Sequence, residues 1–139
     1  MIEIKKVAIV PCSGIGKSFG TVSRMAAYQV VEDDRPDQTQ LIPLALLVMG
    51  DEDYQSILQK MPAITIDGCK LACATKMVQE AGGKVEKDFA VLEVFRRYRQ
   101  FKPQGIADLN EEGKKLADAL AKEIDLAVDD IFQKGGNCA

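Results

Sequence analysis

Ile64-Thr65-Ile66-Asp67-Gly68-Cys69-Lys70-Leu71-Ala72-Cys73-Ala74-Thr75-Lys76 joins a short β-branched run to a helical pattern, and two of the chain's four cysteines fall on the join. Ala63-Ile-Thr-Ile66 reads as a buried strand, whereas Leu71, Ala74, Thr75, Val78 and Ala81 recur at helical spacing up to a Gly82-Gly83 stop. Asp67-Gly68 is then the turn. A strand-turn-helix unit aims free amides and the positive end of the helix dipole at whatever lies over the turn, so Cys69 in the first helical turn has its thiolate favoured. Cys73, one turn on, shares that helix face with Cβ atoms about 5 to 6 Å apart. A disulfide wants them about 3.5 to 4.5 Å apart, so the pair suits two ligands to one ion better than a bridge.

Working outward, Lys5-Lys6-Val-Ala-Ile-Val10 predicts a first buried strand, and Pro11-Cys12-Ser13-Gly14-Ile15-Gly16-Lys17-Ser18 a Gly-rich turn behind it. A helix follows from Ser18 to about Val31, with Val22, Met25, Ala26, Gln29 and Val30 on one face, closed by Asp33-Asp34-Arg35-Pro36. Gln40-Leu-Ile-Pro-Leu44 predicts a second strand, which Pro43 either keeps to an edge or ends early. Gly50-Asp51 opens a short helix to Met61-Pro62. Asp88-Phe-Ala-Val-Leu-Glu-Val-Phe95 predicts a fourth strand, and Arg96 to Pro103 a basic, aromatic loop with about one helical turn in it. From about Asn110 a long helix carries Leu116, Leu120, Ile124, Val128 and Ile131 on one stripe, stopped by Gly135-Gly136, with Cys138 in a disordered tail.

Strands alternating with helices imply parallel pairing through right-handed crossovers. The expected fold class is α/β: one three-layer domain over residues 1–139, with about four mainly parallel strands in the order 2-1-3-4 and helices on both faces. That order makes strands 1 and 3 neighbours where the winding reverses, and open α/β sheets bind ligands there, beyond the strands' carboxyl ends. Cys12 follows strand 1, and Cys69 and Cys73 follow strand 3. Thiolates on one zinc ion stand roughly 3.8 Å apart, given Zn–S bonds of about 2.3 Å, a spacing that adjacent strand ends supply.

Composition narrows the classes. At 139 residues and 47% apolar content the chain makes one packed domain. A net charge of −3 argues against nucleic acid as a partner. The longest apolar stretch, Leu41 to Met49, is interrupted by Pro43 and far short of the ~20 residues of a membrane span, and no signal-peptide pattern opens the chain. A cytoplasmic location is expected, where cysteines serve as ligands, catalytic thiols or small hydrophobes. Histidine is absent, so a metal site must use Cys, carboxylates, backbone or water.

The Gly-rich turn ends like a phosphate-binding loop, but Pro11 stands where the first glycine belongs, which argues against nucleotide hydrolysis. Ser13, Gly14, Gly16, Lys17 and Ser18 form an expected cradle for a small anion. A cysteine-phosphatase loop is excluded because Ser18 stands where that mechanism needs arginine. Arg96, Arg97 and Arg99 are read as a solvated basic loop rather than as arms over the crevice. Asp67 has two readings: a cap for the helix behind it, or an oxygen ligand beside the thiols.

At Ile66-Asp67-Gly68-Cys69, then Leu71, Cys73-Ala74 and Ala81-Gly82, with Cys12-Ser13-Gly14 upstream, the sequence resembles the DGC-domain family, described as zinc-binding proteins of unknown function. The likeness runs over roughly residues 5–95. It implies chelation by cysteines, with Cys12, Cys69 and Cys73 at three of the family's four chelating positions. Neither Ile15 nor the segment from Leu41 to Leu47 supplies the fourth, so an open zinc site is expected, completed by Asp67 or water. Two other functions are carried beside it. One is a thiol-dependent redox or sulfur- or arsenic-handling enzyme with Cys69 as nucleophile. The other is a small-anion or nucleotide sensor using the Gly-rich turn.

Overall fold

Val7–Pro11 forms β1, every residue of it buried. A strand covered on both faces belongs at the centre of a parallel sheet. β1 pairs in parallel with β2 (Thr39–Leu41) on one side and with β3 (Pro62–Asp67) on the other. β4 (Lys84–Ala90) adds in parallel outside β3, giving the order β2-β1-β3-β4 expected from the sequence. The computed structural model describes residues 6–12, 14, 17–68 and 71–137.

The period-two alternation of β1 divides the core. Val7 and Ile9, with Ile64, Ile66 and Phe89, enter one cluster. There they meet α1 (Ser18–Tyr28), α5 (Val91–Arg97) and α6 (Glu111–Asn137). Ala8, Val10 and Ala63 enter the other, against α2 (Leu44–Val48), α3 (Glu52–Lys60) and α4 (Cys73–Glu80). Helices thus cover both faces, and the winding reverses between β1 and β3.

Several elements depart from the sequence expectations. The first helix changes pitch: after Tyr28 it continues as a π-helical segment, Gln29–Asp34, closed by the Arg35 N–H bonding to the Val30 carbonyl at 2.7 Å. The second strand ends at Leu41, because Pro43 at φ −69 acts as the N-cap of α2 and turns Leu44 into a helix. The fourth strand is Lys84–Ala90 rather than Asp88–Phe95. Val91 and Val94 are buried at helical spacing, so the continuous apolar run from Phe89 divides between strand and helix. Glu86 is an extra residue in β4, since Ala63 pairs with Val85 and Ile64 with Lys87. In the basic stretch only Arg96 and Arg97 are helical, as the end of α5, and residues 98–103 are turns and irregular chain. The long helix starts as expected, capped by Asn110, whose Oδ1 accepts the Gly113 N–H at 2.8 Å. It does not stop at Gly135-Gly136 but runs to Asn137. Cys138, expected in the tail, lies outside the described residues.

The largest correction concerns the helix behind the Asp-Gly-Cys turn. It starts at Cys73, preceded by Ala72 in the left-handed region at φ 52, so Cys69 precedes the helix instead of occupying its first turn. Cys69 and Cys73 therefore do not share one turn of helix. No helix among the described residues is long and apolar enough to cross a membrane.

Candidate functional site

Cys12 follows directly on β1, and its N–H continues the β1–β3 ladder by bonding to the Ile66 carbonyl at 2.8 Å. This pins the residue at the reversal point. Its side chain turns inward, leaving the residue 6% exposed. The sulfur accepts the Gly68 N–H at 3.2 Å and lies 3.4 Å from the Ser23 hydroxyl. Ser23 donates to the Gly20 carbonyl at 2.7 Å, so its hydrogen is already committed and a Cys12 S–H is placed to donate to it.

Three backbones close around this sulfur, and each uses a glycine to do so. A Cβ on Gly20 would stand 2.3 Å from the Gly14 carbonyl oxygen. One on Gly68 would stand 3.0 Å from the Gly20 nitrogen. Gly14 is also left-handed, at φ 49. The loop after β1, the first turn of α1 and the loop after β3 are therefore in backbone contact.

Asp67, 5% exposed, ends β3 and turns toward α4. Its Oδ1 accepts the Ala74 N–H at 2.8 Å, and its Oδ2 accepts the Thr75 hydroxyl at 2.8 Å and the Thr75 N–H at 3.4 Å. Thr65 and Thr75 hydroxyls are 2.7 Å apart behind it. Ala72 has no capping side chain, and Asp67 performs that service from the strand end. Cys73 starts α4 at the same end of the sheet and is exposed.

Among the described residues no three Cys, Asp or Glu side chains are grouped so as to hold a metal ion. Cys69, the expected central thiol, lies outside those residues, as do Ser13 and Gly16 of the expected anion cradle. Its remaining members are Gly14, packed on Gly20; Lys17, exposed; and Ser18, the first residue of α1. The Lys17 N–H bonds to the Gly14 carbonyl at 3.2 Å, and α1 has neither a capping side chain nor an acid in its first turn. Arg96 and Arg97 lie on α5 and pair with Glu93 and Glu123, in keeping with a basic segment that does not arch over the crevice.

Sequence reasoning overlooked Ser23 and the segment after α5. Thr21 Oγ1 donates to the Ile106 carbonyl at 2.6 Å, which ties that segment to the first turn of α1. Ser23 falls at the third position after Gly20, a spacing typical of serine bonding back into its own helix, and that was the available signal.

Fold and site together define a doubly wound parallel α/β domain with a buried sulfur at its switch point. The chain is a member of the DGC-domain family, whose model matches residues 8–120 and so reaches well into α6. Comparison with curated proteins and with solved structures returns no match.

Proposed function

We propose that the protein binds a thiophilic metal ion, zinc in the first place, through Cys12, Cys69 and Cys73. The observation that carries this reading is the Cys12 sulfur, buried at the switch point and accepting the Gly68 amide. Sulfur held by a backbone N–H is supported as a thiolate ligand would be, and such outer contacts tune metal sites strongly. Asp67 serves the site by fixing where α4 begins, and hence where Cys73 stands. A fourth position is left to water or a ligand, the pattern of open rather than closed zinc sites. The test is metal content after purification under reducing conditions. About one equivalent of zinc is expected, with protons released on loading, and less than about a tenth of an equivalent, unchanged by added zinc, sinks the reading. Cys12→Ser and Cys73→Ser should each weaken binding. A Cys69 thiolate that stays equally reactive to alkylation with and without chelator would favour the thiol enzyme instead.

A second reading, a small anion at the amino end of α1, draws support from that helix's uncapped first turn and the exposed Lys17. Saturable phosphate binding lost in Lys17→Ala and kept in Cys12→Ser would place it ahead of the metal.

A further inference from the structure

Cys12 poses a problem of access. A ligand must reach its sulfur, yet the residue is 6% exposed and much of what covers it is backbone. A Cβ on Gly14 would stand 3.4 Å from that sulfur, and Gly14 itself lies against Gly20 in the first turn of α1. Side chains swing aside by changing rotamer, whereas closely packed backbone parts only when a segment moves.

A line of contacts runs from this cover to the stretch between α5 and α6. The Lys17 N–H bonds to the Gly14 carbonyl and the Thr21 N–H to the Lys17 carbonyl, both at 3.2 Å. Thr21, 5% exposed, gives its one hydroxyl hydrogen to the Ile106 carbonyl at 2.6 Å, the Lys17 carbonyl standing farther off at 3.4 Å. Arg24 donates to the same hydroxyl oxygen at 3.2 Å. A helical threonine ordinarily bonds back into its own helix, but the shorter bond of Thr21 leaves α1 to hold another segment.

That segment, residues 102–109, is built as a strap. Asn110 closes its base: its N–H bonds to the Gln104 carbonyl and its Oδ1 accepts the Gln104 N–H, each at 3.0 Å. Leu109 is anchored in the core, Gly105 at φ 96 turns the tip, and Ile106 at that tip is 53% exposed. A segment pinned at its base and bare at its tip opens locally without unfolding the domain.

We propose that this strap controls access to the Cys12 sulfur, with Thr21 as the positioning residue that latches it to α1. While the latch is closed, the first turn of α1 holds Gly14 and Gly68 over the sulfur; when it opens, Gly20 withdraws and the thiol is uncovered. As a device for admitting a metal ion the strap rests on the zinc reading above. As a control on the thiol it is tested without metal.

The reduced full chain, stripped of metal by chelator, is treated with iodoacetamide, and the rate at Cys12 is followed by peptide mass spectrometry. Thr21→Val removes the latch but keeps the shape, and should raise that rate about fivefold, one hydrogen bond's worth of opening. Thr21→Ser keeps the hydroxyl and should react at the wild-type rate. Leu120→Val weakens the core beneath α6 and should leave the rate unchanged, because the opening is local. Asn110→Ala loosens the strap from its base and should also raise the rate; where Thr21→Val does not fold, it takes that variant's place in each comparison. A wild-type rate in Thr21→Val, or an equal rise in Thr21→Ser or in Leu120→Val, overturns the proposal. Zinc content, measured separately, decides the metal reading alone.

Discussion

Gly20 is the residue on which two opposing effects can be weighed. Alanine in the interior of a helix gains about 1 kcal/mol over glycine, but the new Cβ would stand 2.3 Å from the Gly14 oxygen, and backbone cannot yield as a side chain can. Overpacking of this kind costs about 1 to 3 kcal/mol or more, so Gly20→Ala should be destabilised by about 2 kcal/mol in urea melts and should bind zinc less well. Asp67 admits a similar comparison. Asparagine keeps the Oδ1 acceptor for Ala74 but presents an amide to the Thr75 donors, so Asp67→Asn should lose about 1 kcal/mol in chelator. Zinc affinity should stay unchanged, because the carboxylate works on α4; a loss of about 10- to 100-fold would return it to the metal site. The sequence brought out Cys12 and Asp67 because strand ends are legible from pattern. Ser23 and Gly20 stayed hidden because their importance arises only when two loops far apart in the chain come into backbone contact.

The elements themselves were legible where one signal dominated. β1, β3 and the stripe of α6 have unambiguous periods, and their pairing follows from the alternation of types. The run from Phe89 to Phe95 has no period of its own, since continuous apolar residues fit a buried strand or a buried helix equally, and it resolves at Ala90 only through tertiary packing. Gly135-Gly136 misled in the other direction, because glycine lowers helix stability without forbidding a helix. At the other end of α6, Asn110 does more than cap. Its Oδ1 accepts from Gly113 and from the Gln104 N–H at 3.0 Å, and its amide donates to the Lys102 carbonyl at 3.1 Å. Asn110→Ala should therefore cost about 1 to 2 kcal/mol and loosen residues 102–109, measured as a lower melting temperature and faster proteolysis in that segment.

For the molecule as a whole, the contact between the π-helical segment and α6 sets a dependence on pH. Asp125 is 5% exposed, and burial, then its hydrogen bond to Asp34 and the nearby Asp34 charge, push its carboxyl up to about 7 from 3.8. Arg35 and Lys122 oppose that rise, while Arg35 itself is held by Asp129 at 3.0 Å. The hydrogen bond from Asp125 is the main cause that lowers Asp34, with Lys122, Gln29 and Arg35 assisting. Between about pH 4 and 7 the folded protein keeps a proton on Asp125 that the unfolded chain has lost. Stability should therefore fall across that window and level off above it, whereas the Asp34 contribution is lost only in stronger acid. Asp125→Asn should flatten the fall, and melting curves at pH 5 and pH 8 compare the two proteins; an equal fall in both overturns the assignment. The glycine contact around Cys12 carries a consequence of another kind. The Gly68 N–H reaches a sulfur 56 residues away in sequence, across the two central strands, so the bond cannot form before the β1–β3 crossover closes. Its hydrogen should exchange with solvent as slowly as the slowest core amides, and faster exchange would reveal an opening of the cysteine end that leaves the rest of the domain folded.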